Sequence, residues 1–363
     1  MLALTSAVLL AALGGSAQAL TGIESVEYDA VNHRFLVSNG NNIIQVNGDG
    51  EPVAEFGTAP AADYGMEIMG DALYAIVGSS VKAYDLTTGE QVSSIAISGA
   101  EFLNGMASDG DHRIWVSDFN AKTIYEIDFS DLAAPSFIQV VDNTVSTPNG
   151  ICYDQDNDRL VFVNWGSAAK IKAITLDGSY TVTTLATLNG TAGMPSLGNI
   201  DGIDNDDYGN YYIATWSPNR ITKFNSDFTI DETITVAGLS SPADIAYAEE
   251  IDTLAIPNAG NNTVLFVGFS PVSVEMTEEN PLAFSCYPNP LTDKSVLMFT
   301  LNRGAVTRIS IMDTQGRIVD TILEEYFPAA THKVVPGELD LSAGNYLWHI
   351  TSGDVTFTLP FIK

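Results

Sequence analysis

Basic side chains are scarce in this chain: 15 Lys and Arg stand against 45 Asp and Glu, a formal net charge of −30 over 363 residues. A surface so acidic repels phosphate backbones, which argues against nucleic acid as a partner. It is compatible with a saline or calcium-rich medium, where screening softens self-repulsion. Cysteine is nearly absent. Cys152 and Cys286 have no disulfide-type spacing and read as two buried thiols in separate domains. His33, His112, His332 and His349 are scattered, which argues against a zinc site or a histidine-based dyad. No Gly-x-Ser-x-Gly elbow, P-loop or dinucleotide fingerprint stands in a suitable context. Sustained helical periodicity is missing, and no later apolar run approaches the ~20 residues of a transmembrane helix.

What is present begins with an export pattern. Residues 1–19 form a short apolar stretch ending in Ala17-Gln18-Ala19, the pattern of a cleavable secretory signal peptide, although no Lys or Arg precedes it. The competing reading is a buried N-terminal helix. The hydrophobic content of 45% is that of a folded protein.

A repeat dominates the next 250 or so residues. Its unit is a polar residue, usually followed by Gly, then a short alternating strand, an Asp/Asn/Gly-rich turn and a second strand. The clearest copies open at Asn104, Asn149 and Asp201, and weaker ones at Glu24, Tyr64 and Asp244. The openings are 40, 40, 45, 52 and 43 residues apart, close to the roughly 40–50 residues of one four-stranded propeller blade. Third strands follow, such as 123–127 and 221–224, and usually a fourth, such as 136–141. Asp-Gly and Asn-Gly turns between alternating strands are hairpin chemistry. The expectation is an all-β chain: a six-bladed β-propeller over 20–270, a linker over 271–283 and a small C-terminal β-sandwich over 284–363.

That last segment carries Tyr287-Pro-Asn-Pro290, Ile309-Ser-Ile-Met-Asp-Thr-Gln-Gly-Arg317, Leu341-Ser-Ala-Gly-Asn-Tyr346 and a terminal Lys363. In this order the motifs resemble the C-terminal sorting domain of Bacteroidetes proteins exported by the type IX secretion system. The resemblance implies engagement of that machinery, and secretion or surface attachment after passage through the periplasm. A carbohydrate-binding or spacer sandwich is the competing reading.

The blade openings hold the candidate chemistry. In a propeller they ring the central channel, and five of the six carry carboxylate or amide oxygens, the donor set of a hard cation. Calcium is favoured, with magnesium, manganese and zinc as alternatives. The contexts of Glu24, Asn149 and Asp201 resemble those of the gluconolactonase and senescence-marker-protein (regucalcin) propellers. That resemblance implies a divalent cation held by Glu24, Asn149 and Asp201, with Asn104 as a further amide, and metal-assisted lactone or ester hydrolysis. Two openings depart from the family pattern: Glu24-Ser-Val replaces Glu-Gly-Pro, and Ile200-Asp-Gly replaces Pro-Asp-Gly. Asp201 or Asp244 would be the general base, and Tyr64, Trp165 and Trp216 would line the substrate pocket. The competing reading is a non-catalytic exported propeller that binds a glycan, peptide or surface partner. The Asp-rich runs 154–158 and 204–207 read as solvated hairpin turns.

Overall fold

Short alternating strands joined by tight turns can pair only with their chain neighbours, and the structure consists of consecutive antiparallel hairpins. The computed structural model describes residues 19–363 except 59, 168, 192, 230, 270–281, 288–294, 302, 314–315, 338, 340, 343 and 354. The expected signal segment, save Ala19, and the expected linker up to 281 lie outside the described residues. The chain divides into two units, Met1–Val267 and Gly268–Lys363. Among the described residues no helix is long and apolar enough to cross a membrane.

The first unit is a β-propeller. Six sheets follow one another at 26–55, 66–96, 103–141, 148–187, 198–234 and 246–268. Among the described residues the first five have four strands and the sixth three, each in simple up-and-down order. Several first hairpins are clasped by an ion pair: Asp29 with Arg34 at 2.8 Å, Asp109 with Arg113 at 2.8 Å and Asp154 with Arg159 at 2.6 Å. In the fifth sheet Asp206 does this by accepting from the Asn210 backbone N–H at 2.8 Å and the Tyr212 hydroxyl at 3.0 Å. Asp154 is therefore a buried anchor and not a solvated turn residue, because its carboxylate must reach Arg159 and the Tyr211 hydroxyl at 2.5 Å.

Apolar side chains fill the spaces between successive sheets. Tyr74, Ile76 and Val81 pack with Met106 and Val116, Trp115 with Leu160 and Phe162, and Val161 with Ile200 and Ile213. The circle closes where Val26, Phe35 and Val37 meet Ala246, Ala255 and Val264. There Ser25 forms a parallel bridge with Asp244, whose N–H donates to the Glu24 carbonyl at 2.9 Å.

At the axis the inner strands approach one another so closely that side chains are excluded. A Cβ on Gly65, Gly105 or Gly150 would lie 2.5 Å from the carbonyl oxygen of Asn104, Asn149 or Asp201 respectively, and one on Gly202 would strike the Ala243 carbonyl. This explains why glycine follows the opening residue in those four sheets. In the first sheet the position belongs to Ser25, fully buried, whose hydroxyl accepts from the Met66 N–H at 3.2 Å.

The second unit has seven strands among the described residues. Leu282–Tyr287, Val296–Leu301 and Thr331–Val334 form one sheet; Ala305–Asp313, Ile318–Phe327, Asn345–Ser352 and Val355–Ile362 form the other. Their core includes Cys286, Leu297, Phe299, Ile309, Ile311, Trp348 and Phe361, with the Trp348 and Phe361 rings stacked at 4.7 Å. Cys152 and Cys286 are both buried and free.

Gly150→Ala is expected to lose at least about 2 kcal/mol of stability in urea or thermal unfolding, since the added methyl has only backbone to displace. Gly48→Ala, with no heavy atom within 4 Å of the added Cβ, should stay within about 0.5 kcal/mol of the parent.

Candidate functional site

The inner strand of the third, fourth and fifth sheets carries one extra residue at its opening. Leu103 and Met106 pair with Asp118 and Val116, Pro148 and Ile151 with Asn164 and Phe162, and Ile200 and Ile203 with Thr215 and Ile213. Between these pairs two residues on the inner strand thus oppose one on its neighbour, a β-bulge at each opening. Simple alternation sends residues three apart to opposite faces. The bulge cancels that, so the opening residue and the one three places on both turn toward the axis.

Asn149 and Asp201 meet directly. The Asn149 Nδ2 donates to Asp201 Oδ1 at 2.9 Å and to the Ile200 carbonyl at 3.3 Å. The Trp216 indole N–H also supports Asp201 and donates to the Pro242 carbonyl at 3.0 Å. Burial pushes the Asp201 carboxyl well above its ordinary range, and the charges of Glu24 and Asp244 add to the effect. Glu24 is pushed up to about 7 by burial. Asp244 is pushed up to about 8 by burial, then by Glu24 and Asp204, against a favourable bond from the Ser25 hydroxyl. The structure thus brings Glu24, Asn149, Asp201 and Asp244 into one electrostatic cluster. Asn104 is buried in the adjoining inner strand, where its carbonyl accepts from the Gly65 N–H at 2.9 Å.

The three aromatic candidates belong to one chain of rings. Tyr64 packs on Phe102 (4.7 Å), Phe102 on Phe119 (5.4 Å), Phe119 on Trp165 (6.2 Å) and Trp165 on Trp216 (5.0 Å). All five are partly buried. Tyr64 senses the Glu24 charge, and Trp216 touches Asp201. Phe102 and Phe119 were not among the residues singled out from the sequence. The signal was there in part: Phe102 stands two residues before an opening, and Phe119 directly follows a second strand.

A second acidic tier was also missed. Three residues beyond each opening stand Glu27, Glu67, Ala107, Cys152, Asp204 and Tyr247, and all six line a cavity of about 400 Å³. The reading of 204–207 as a solvated turn is corrected here. Asp204 belongs to the inner strand Gly198–Asn205 and accepts from the Tyr247 N–H at 2.6 Å, because the bulge at Asp201 aims it inward. Burial pushes Asp204 up to about 7. Glu27 and Glu67 are pushed well above the carboxylate range, first by burial and then by Asp204 and Asp244, with Glu67 acting also on Glu27. Asp244 lines the same cavity, and none of the lining residues is basic.

Sequence comparison matches residues 40–259 to the SMP-30/Gluconolactonase/LRE-like region. The chain belongs to that family. The match holds Tyr64, Asn104, Asn149, Trp165, Asp201, Trp216 and Asp244, while Glu24 precedes it. Residues 285–363 match the secretion system C-terminal sorting domain. This family member is therefore exported through the type IX route and is either secreted or held at the cell surface. No curated protein matches the chain. Among solved structures, one described as a nidogen/laminin complex aligns with a TM-score of 0.54 at 19% identity, over 65% of this chain and 89% of that one. A Bacteroides thetaiotaomicron VPI-5482 protein of unknown function aligns at 0.53 and 13%, over 68% and 69%. A luciferin-regenerating enzyme aligns at 0.52 and 14%, over 71% and 96%. These likenesses show the propeller fold.

A family cation can be tested against this chain's donors. Among the described residues no group of three or more His, Cys, Asp or Glu is arranged to hold a metal ion. A site here would therefore combine carboxylates with other oxygen donors, such as side-chain amides. Asn149 Oδ1 is buried and accepts no hydrogen bond, and the other end of its amide is tied to Asp201. An orphaned acceptor beside a carboxylate whose charge is already resisted by burial suits a hard cation, so the donor set fits.

The raised carboxyls set a pH dependence of stability. A carboxyl whose folded value lies above its unfolded one binds protons in the fold first, so stability is greatest on the acid side and falls as pH rises through the folded value. Chelated protein should therefore melt a few degrees higher at pH 6 than at pH 8. Glu67→Gln, which keeps an acceptor for the Ser108 hydroxyl (3.1 Å), should raise the pH 8 melting temperature by about 2–4 °C and flatten the slope, as read by circular dichroism.

Proposed function

We propose that the propeller is a divalent-cation-dependent hydrolase of lactones or esters, delivered outside the cell by its C-terminal sorting domain. The observation that carries this reading is the unsatisfied Asn149 Oδ1 beside Asp201, in a cluster that also includes Glu24 and Asp244. Glu24, Asn104, Asn149 and Asp201 would hold the cation, with calcium favoured for a set of mixed amide and carboxylate oxygens. When bound, a divalent ion polarises a carbonyl and acidifies water.

The protein's own groups divide the remaining work. Asn149 and Trp216 fix the orientation of the Asp201 carboxylate, which is 3% exposed. Asp244 reaches open channel space; burial pushes it up to about 8, and a cation held beside it would lower that value and free the carboxylate to act as general base. Ser25 orients it. The aromatic chain from Tyr64 to Trp216 excludes water from one side of the cluster.

The test is a panel of lactones and esters with chelated protein, to which calcium, magnesium, manganese or zinc is returned. Wild type should regain activity with at least one ion, whereas Asp201→Ala should stay at least about 100-fold lower. The same ion should raise the melting temperature of wild type but not of Asn149→Ala. Equal rates for wild type and Asp201→Ala would remove the proposed chemistry. Folded wild type inactive with every ion would leave the non-catalytic binding propeller as the reading.

A further inference from the structure

The aromatic wall is confined to one side of the channel by a register rule. Met106, Ile151 and Ile203, each two residues past an opening, pair with Val116, Phe162 and Ile213. Three residues beyond those partners stand Phe119, Trp165 and Trp216. In the other sheets the corresponding pairs are Val26 with Val37, Met66 with Ala75 and Ala246 with Ala255. There the equivalent position holds Gly40, Gly78 and Asn258. Three consecutive sheets therefore present large rings where the other three present glycine or a short amide. Phe102 and Tyr64 continue the wall toward Glu24, and Trp216 ends it at Asp201.

The chemistry of this wall is selective. Phe102 and Phe119, at its middle, bring no hydrogen-bonding group, so a polyhydroxylated ligand pressed there would lose water without gaining a partner. The Trp216 indole N–H is already engaged with Pro242 and Asp201. Successive rings meet edge to face or tilted, at 77°, 61°, 58° and 79°, which leaves a ribbed apolar surface. Opposite it, the glycines leave room.

Resting on the hydrolase reading, we infer that the substrate carries a planar apolar group of about phenyl size beside its ester or lactone carbonyl. The group lies on Phe119 and Trp165 while the carbonyl faces Asn149 and Asp201. A sugar lactone is the disfavoured substrate. Phe119 and Trp165 are the specificity-determining residues.

The experiment uses the full-length protein and two readouts. Hydrolysis compares γ-phenyl-γ-butyrolactone with glucono-δ-lactone, and binding follows tryptophan fluorescence with the non-hydrolysable probe 3-phenylpropionamide. Fluorescence is informative because Trp115 and Trp348 are fully buried, leaving Trp165 and Trp216 to respond. Wild type should prefer the phenyl lactone by roughly tenfold or more in kcat/KM, and the probe should quench emission. Trp165→Ala should erase the preference, mainly by raising KM for the phenyl lactone. Trp165→Phe should retain most of it, which separates loss of an apolar surface from a folding defect. Preference for glucono-δ-lactone, or equal preference in wild type and Trp165→Ala, would overturn the inference and leave the hydrolase reading intact. Quenching that Trp165→Ala abolishes, with no hydrolysis of either lactone, would sink the hydrolase reading and keep the ligand class. Absence of quenching in wild type would overturn the ligand class on its own.

Discussion

The close approach of inner strands at the propeller axis governs the rest of the molecule. Where Gly105 lies on the Asn149 carbonyl and Gly150 on that of Asp201, no side chain fits between successive strands. The sequence answers with glycine, and the strand answers with a bulge that admits it. Once the bulge is present, the residues before and after it must turn to the axis. In the bulged sheets the polar openings and the residues three places on are thus two consequences of one packing constraint. A candidate site follows from the same geometry that closes the ring.

The fold was legible because its signals are local and repeated. Hairpin turns, alternation and a spacing of 40–52 residues between openings each point to stacked four-stranded sheets, and the sorting tail carries ordered motifs of its own. The upper cluster could be placed for the same reason, since each opening begins a copy. Asp204 escaped because alternation, taken at face value, sends it away from the axis. Only paired coordinates reveal that one residue has been inserted. The run 204–207 added to the error, since consecutive carboxylates and an amide are also what a turn contains. Phe102 and Phe119 were illegible for a further reason: a single aromatic beside a strand is ordinary core, and its role emerges from rings contributed by other sheets.

Electrostatics gives the channel its character. Glu24, Asp201 and Asp244 stand within one another's fields, and Glu27, Glu67 and Asp204 do the same below, with Asp244 coupled to both sets. No lysine, arginine or histidine lines the lower cavity, and the chain as a whole carries an excess of 30 negative charges. Burying carboxylates together opposes folding unless protons or cations join them. The hairpin clasps show the contrasting solution, for Asp109 and Asp154 are held below the usual carboxylate range by bonds from Arg113 and Arg159 together with local hydrogen bonds, against the effect of burial. The chain thus pairs its acids with arginine at the hairpins, where the fold needs an anchor, and withholds that pairing in the channel.

The same withholding explains why the two tiers need not share a task. In the opening tier an amide and an indole orient Asp201 and the Ser25 hydroxyl orients Asp244, with an apolar wall beside them. In the lower tier Glu67 and Asp204 are steadied by one hydroxyl and by backbone N–H groups, and they face open space edged with further acids. Directed donors beside a water-excluding surface suit the discrimination of one small molecule. An unshielded acidic basin instead raises the local concentration of cations at its mouth. The division arises at the level of register: positions before the bulge meet the aromatic wall, while those three residues on meet the Asp-bearing hairpins. One inserted residue in each bulged sheet therefore separates a site able to select from a field able to attract.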